Sequence, residues 1–280
     1  MSIKERFFIL VLMFFISPEV KAQDLRIVSL APNTTEILFA LDLGKNIVGV
    51  DIFSNYPEEA KKIEKVGSFS HPNLEKIVSL KPDFVFITGL EQNPFNLKLR
   101  RLGLRVFTVD PQSIKELFQD VLQIGKITHK EERAKTLVRE MEKELAEIKE
   151  KVKNKVDRPK VFLEIWDSPL ITCGRNSYIE EMISLAGGIN IAHNLPRKFS
   201  RISQEQVIKN SPEVIIVSHM QNNEGMKKSI GKRWGWQIVE AIKKDRIYAD
   251  IDPDIILRPG PRIIAGIKEL YRRFYGEDLY

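Results

Sequence analysis

Two stretches of this chain repeat one pattern, and that repeat limits the possible folds more than any other feature. The first opens with Asn73-Leu74-Glu75 and runs through Lys81-Pro82-Asp83 into the apolar segment Phe84-Val85-Phe86-Ile87. The second opens with Ser203-Gln204-Glu205-Gln206-Val207 and runs through Ser211-Pro212-Glu213 into Val214-Ile215-Ile216-Val217. Glu75 matches Glu205 and Pro82 matches Pro212 without a gap. Arg105-Val106-Phe107 and Asp110-Pro111 follow in the first half, as Arg246-Ile247-Tyr248 and Asp252-Pro253 follow in the second. A shared order of this kind indicates two related units.

Between the units, Thr128 to Lys155 contains neither Gly nor Pro. Its apolar residues Ala134, Leu137, Val138, Met141, Leu145, Ile148 and Val152 fall three and four apart, which is one face of a helix. Thr128 with Glu131 fits a capping box at its start, and Arg158-Pro159 ends it. Such a helix is roughly 40 Å long. On either side, short apolar runs alternate with helical stretches, at 25–30, 47–50, 84–88 and 105–109, then at 160–165, 214–218 and 246–250. The expected fold is α/β, with two Rossmann-like lobes, each a parallel sheet covered by helices, joined by one long rigid helix. The boundaries are 1–22 for a leader, 23–127 for the first lobe, 128–157 for the helix and 158–280 for the second lobe.

The leader is read from Lys4 and Arg6, the apolar run 7–16, the breaker Ser17-Pro18 and the small residue Ala22. Charge, apolar centre and small exit residue describe a signal peptide. The only cysteine is Cys173, so no lipid-bearing thiol lies near the cleavage point and no intramolecular disulfide can form. The expectation is a periplasmic protein without a lipid anchor. Lys and Arg total 44 against 38 Asp and Glu, a net charge of +6 interleaved with acids, which argues against a nucleic-acid partner. There is no nucleophile elbow, no H-E-x-x-H and no phosphate-cradling glycine loop. With one cysteine and four histidines, a resident metal site is not expected. Neither catalysis nor a cofactor is expected.

In open parallel sheets, ligands meet the loops after the carboxyl ends of the strands, and two lobes facing each other leave one cleft there. Those loops carry Asn33, Phe53, Phe69, His71, Trp166, Phe199 and Arg258. Asn33 with Glu36 also fits a capping box. Aromatic faces with a few polar groups between them suit a large planar or anionic ligand. Glu75 and Glu205, one per half, suit a partner that is itself two-fold symmetric.

Four segments together resemble a known family. These are Arg26-Ile27-Val28-Ser29-Leu30-Ala31-Pro32-Asn33-Thr34-Thr35-Glu36, then Asn73-Leu74-Glu75 through Pro82-Asp83, then Ser203 to Val207, and Arg258-Pro259-Gly260-Pro261-Arg262. The chain is similar, from about residue 25 to 272, to the periplasmic binding proteins that deliver cobalamin, ferric siderophores or haem to ABC importers, and most of all to the cobalamin-binding members. The resemblance implies the class III periplasmic binding protein architecture and a monomeric, non-catalytic receptor for a cobalamin-type corrinoid. It implies ligand contacts at Phe53, Phe69, Phe199 and Arg258, with Asn33 and Trp166 beside them. It also implies that Glu75 and Glu205 meet the transmembrane permease dimer. Two pocket positions depart from the cobalamin pattern: Thr88 stands in place of a tryptophan and Ile165 in place of a phenylalanine. A ferric siderophore or haem is the alternative solute, the latter with His71 as axial ligand. An exported enzyme with an unrecognised site is the remaining alternative.

Overall fold

The computed structural model describes residues 25–68, 70–89, 94–219 and 225–277; the leader 1–22 and Phe69 lie outside these. Four short strands form the first sheet: β1 (Ile27–Ser29), β2 (Ile47–Val50), β3 (Phe84–Ile87) and β4 (Arg105–Thr108). All pair in parallel, in the order β2-β1-β3-β4. β3 is buried at every position, as expected of a strand covered on both faces. Helices α1 (Pro32–Ala40), α2 (Leu74–Ser79), α3 (Pro94–Arg101) and α4 (Ile114–Ile127) connect and follow these strands. From β1 the chain passes to β2 on one side and then to β3 on the other. The adjacent strands β1 and β3 therefore form a topological switch point, the place where such sheets open a crevice.

The connecting helix, α5, spans Glu131–Lys153, about 35 Å. The capping box expected at Thr128 does not form. Thr128 closes α4 instead, its hydroxyl donating to the Ile124 carbonyl at 2.7 Å, and Lys130 caps α5 without a side-chain bond. The chain reverses between the two helices at His129, which has φ of 58°. Gly125 permits that tight reversal, since a Cβ there would lie 2.4 Å from the Ala134 Cβ.

The second sheet contains β5 (Lys160–Asp167), β6 (Leu170–Cys173), β7 (Ile189–Asn190), β8 (Phe199–Arg201), β9 (Val214–Val217) and β10 (Ile247–Tyr248). Its path is β10-β9-β5-β6-β8, with β7 also paired to β5. β5 pairs in parallel with β9, but β6 and β8 are antiparallel additions, so this lobe is mixed where an all-parallel sheet was expected. Helices α6 (Tyr178–Leu185) and α7 (Gln204–Asn210) and a C-terminal helix, Ile263–Tyr275, pack around it. The repeated segments occupy equivalent places: α2 leads to β3 and α7 leads to β9.

The largest apolar cluster is continuous through all three parts. It includes Ile27, Leu38 and Phe86 of the first lobe, Ala134, Met141 and Ile148 of α5, and Val161, Tyr178, Val214 and Phe274 of the second. Two smaller clusters cover the outer faces, one around Val28, Val66 and Ile77, the other around Phe162 and Trp236.

Candidate functional site

The strand ends of the first lobe meet the second lobe through α1. Ala31 is the extended N-cap and Pro32 takes the first helical position, where its missing N–H costs nothing. No side chain caps this helix, so the box expected from Asn33 and Glu36 is absent. Both residues point across the junction instead. The Asn33 amide donates to the Pro259 carbonyl at 3.4 Å. The carboxylate of Glu36, only 3% exposed, accepts from Arg262 at 2.6 and 2.8 Å and from Arg258 at 3.4 Å. Such paired, charged donors offset the cost of burying a carboxylate. Burial alone would lower the pKa of Arg262, but the hydrogen bonds and charge of Glu36, then the charge of Asp252, raise it. The same guanidinium lies 4.0 Å above the Tyr56 ring.

Arg258, expected to face the ligand, directs its guanidinium to the loop after β2. It donates to the Asn55 side-chain oxygen at 2.7 Å and the Phe53 carbonyl at 3.2 Å, and pairs with Asp254 at 2.8 Å. Its influence on the cleft passes through the position of Phe53, which remains 39% exposed. Beneath this loop lies Asp51, fully buried, accepting from the Ser54 hydroxyl. Ser54 is 2.9 Å from the Thr35 hydroxyl, which in turn donates to Ser29 at 2.9 Å. Burial pushes the Asp51 carboxyl up, against the hydrogen bonds from Ser54 and Phe53 and the charge of Arg258. Asn33, Phe53 and Arg258 are thus brought to one junction.

Trp166 sits near the end of β5, its indole N–H donating to the Ser168 carbonyl at 2.9 Å and its face 45% exposed. Its ring centroid is 6.0 Å from that of His219. His219 is itself buried and bonds through Nε2 to Glu164 at 3.1 Å. Glu164 is fully buried and takes two bonds from Arg233, one of them at 2.8 Å. Sequence reading missed this charged group beneath Trp166. The signal was available, since Glu164 interrupts the apolar run Val161-Phe162-Leu163-Ile165 within the buried stretch of β5.

Phe199 opens β8 and is 45% exposed, with the Lys198 ammonium 5.4 Å from its ring centroid. Lys198 reaches across to Asp110, beyond the carboxyl end of β4, at 3.1 Å. Nearby, Glu181 of α6 accepts from the Ile114 amide at 2.9 Å, a further tie between the lobes. His71 lies on the first-lobe rim, its Nδ1 3.0 Å from the Ser70 hydroxyl. No cluster of three His, Cys, Asp or Glu suited to a metal occurs among the described residues.

Glu75 and Glu205 lie apart from this junction, each exposed in the first turn of its helix. Asn73 caps α2 by accepting from the Lys76 amide, and Ser203 caps α7 in a full box with Gln206. A hydrogen bond from Ser203, then its own backbone N–H, holds the Glu205 carboxyl below the usual range. Neither glutamate makes an ion pair among the described residues.

Residues 27–254 match a family model described as periplasmic binding protein. The uncharacterised ABC transporter substrate-binding lipoprotein YvrC of Bacillus subtilis is 36% identical over 264 residues, covering 91% of this chain and 82% of that protein. The vitamin B12-binding protein of Photorhabdus laumondii is 30% identical over 251 residues, covering 89% and 87%. Among solved structures, the periplasmic haem-binding protein RhuT of Roseiflexus sp. RS-1, in apo form, superposes with a TM-score of 0.80 at 28% identity, covering 90% and 98%. The architecture is that of the class III periplasmic binding proteins. One expectation is corrected by these relatives. Freedom from a lipid anchor was argued from the absence of an N-terminal cysteine, but YvrC, similar over nearly the whole chain, is a lipoprotein. The expectation of an unanchored periplasmic protein is therefore withdrawn.

Proposed function

The chain belongs to the periplasmic binding protein family, and from that premise we propose that it captures a cobalamin-type corrinoid between its lobes and delivers it to an ABC permease. Proteins of this family are substrate-binding components of transport systems and work with a membrane permease and an ATPase. The observation that carries the solute reading is the set of exposed aromatics, Phe53, Trp166 and Phe199, at strand ends and loops of both lobes. Arg258 holds the Phe53 backbone, the Trp166 indole bonds to Ser168, and the Lys198 ammonium lies beside the Phe199 ring. Aromatic faces open to solvent in both lobes favour a broad, planar ligand that can stack against them. The similarity to vitamin B12-binding proteins supports the same choice. No resident cofactor takes part, and the receptor acts as a monomer.

Titration of the purified protein with cyanocobalamin, haem and ferric siderophores, followed by calorimetry, tests the reading. Cyanocobalamin is expected to bind with a 1:1 stoichiometry and the tightest affinity of the three. Tight binding of haem without cyanocobalamin binding would replace it with a haem receptor, the second reading. That alternative is supported by the likeness to RhuT and by the exposed His71 imidazole.

For delivery, Glu75 and Glu205 meet basic residues of the permease dimer, one from each lobe. Their equal placement in the first turns of α2 and α7 supports this, since a two-fold partner requires two equivalent contacts. Glu75→Lys with Glu205→Lys is expected to abolish uptake of labelled solute while leaving its dissociation constant within about twofold. Loss of solute binding in that double variant would remove the docking assignment.

A further inference from the structure

The net charge of +6 is not spread evenly along the chain. From α8 (Met226–Gly231) to the residue before β10, positions 226–246, seven basic residues stand against two acids, a net charge of +5. Both acids are engaged. Asp245 pairs with Lys227 at 2.9 Å, and Glu240 is shared by Lys243 and Lys244 at 3.0 and 3.5 Å. Arg233 turns inward to Glu164, and Arg246 donates to the carbonyls of Arg273 and Phe274. Lys228 and Lys232 remain exposed, with no ion pair among the described residues.

Between these charges the chain presents apolar surface: Trp234 is 89% exposed and Ile238 is 62% exposed. The backbone that carries them is fixed. Arg233, one residue before Trp234, bonds to the buried Glu164 and lies 4.8 Å from the Trp236 ring. Trp236 is fully buried and packs edge-on against Phe162, with centroids 6.0 Å apart. Gly235, between the two tryptophans, has φ of 79°, a left-handed turn that leaves one indole inside and the other out. A single exposed apolar residue is ordinary, but an indole and an isoleucine four residues apart among unpaired lysines make a combined surface. That surface covers the outer face of the second lobe, since Ile230, Trp236 and Val239 belong to the cluster around Phe162 and not to the core shared at the junction.

An indole suits the boundary between lipid headgroups and acyl chains, where its ring is apolar and its N–H stays wet. Lysines beside it are drawn to anionic headgroups over about a Debye length. We infer that Trp234, Ile238, Lys228 and Lys232 form a peripheral contact for an anionic phospholipid surface. A receptor that serves a membrane permease works beside such a surface, and a weak contact there keeps it near its point of delivery. The contact lies away from the cleft aromatics and is independent of which solute the cleft holds.

Sedimentation of the purified protein with vesicles tests this, using phosphatidylcholine alone or mixed with an equal part of phosphatidylglycerol. Binding about tenfold tighter to the anionic vesicles is expected, and high salt should weaken it. Trp234→Ala should lower binding to anionic vesicles by about fivefold. Lys228→Glu with Lys232→Glu should lower it by about tenfold, with a shallower dependence on salt. Anionic vesicles should also shift the tryptophan emission of the wild type to the blue, a shift absent from Trp234→Ala. Both variants change exposed side chains only and should keep solute affinity within about twofold. Equal binding to the two kinds of vesicle would overturn the inference, as would undiminished binding by either variant. If the wild type ignored vesicles while Trp234→Ala slowed solute uptake, the patch would be a protein contact with the permease, and the lipid assignment would fall.

Discussion

Glu36 lies on a helix of the first lobe and Glu164 on a strand of the second; each is buried and each takes bonds from two basic residues. The partners of Glu164, Arg233 and His219, come from its own lobe. Those of Glu36, Arg258 and Arg262, come from the opposite one. The first arrangement stiffens the floor beneath Trp166, whereas the second fixes where one lobe stands relative to the other. A further contrast lies in redundancy. Arg262 also reaches Asp252 at 3.4 Å and Arg258 reaches Asp254 at 2.8 Å, while among the described residues Arg233 has only Glu164 as an ion-pair partner. Similar chemistry therefore serves integrity in one place and alignment in the other.

The comparison breaks most easily at Glu164. Glu164→Leu leaves the half-buried Arg233 guanidinium without a counter-charge, and a loss of about 3 kcal/mol is expected in denaturant unfolding. Glu36→Gln should cost less, about 1–3 kcal/mol, because Asp252 and Asp254 retain the two arginines. Its distinguishing effect is on alignment: solute affinity should fall by about tenfold as Phe53 and the opposite lobe lose their common anchor. If Glu164→Leu proved the milder of the two, or Glu36→Gln left affinity unchanged, the division between integrity and alignment would fail.

Asp120 sharpens the contrast as a half-buried carboxyl on α4 that makes no ion pair among the described residues. Burial, then the charges of Glu116 and Asp110, push its pKa from 3.8 up to about 6. Between those values the folded chain holds the proton more tightly than the unfolded chain, so stability falls as pH rises through that window. The stabilisation is lost once the pH exceeds about 6. Asp120→Asn should therefore raise the melting temperature at pH 7.5 by about 2–4 °C, an effect discounted for its partial exposure and absent at pH 4.

Much of the scaffold was legible in sequence. Buried parallel strands such as Phe84-Val85-Phe86-Ile87 announce themselves as apolar runs, and the α5 face is plain from its spacing. β6 and β8 were not, because they are short and owe their strand character to antiparallel pairing, β6 with β5 and β8 with β6. At Glu36, local grammar misled. Asn33 with Glu36 satisfies a capping pattern, but arginines more than 220 residues away claim the carboxylate. Thr128 misled in the same way, since it closes one helix rather than opening the next. The placement of Glu75 and Glu205 was readable because the repeat itself reports it.

The apolar cluster that threads from Ile27 through Met141 to Phe274 has a consequence for the life of the molecule outside its transport cycle. The largest cluster is shared by both lobes, so loosening one exposes surface belonging to the other. A single cooperative unfolding transition is therefore expected, with fluorescence and circular dichroism changing together in a denaturant titration. A chain built from two related halves thus survives or fails as one body.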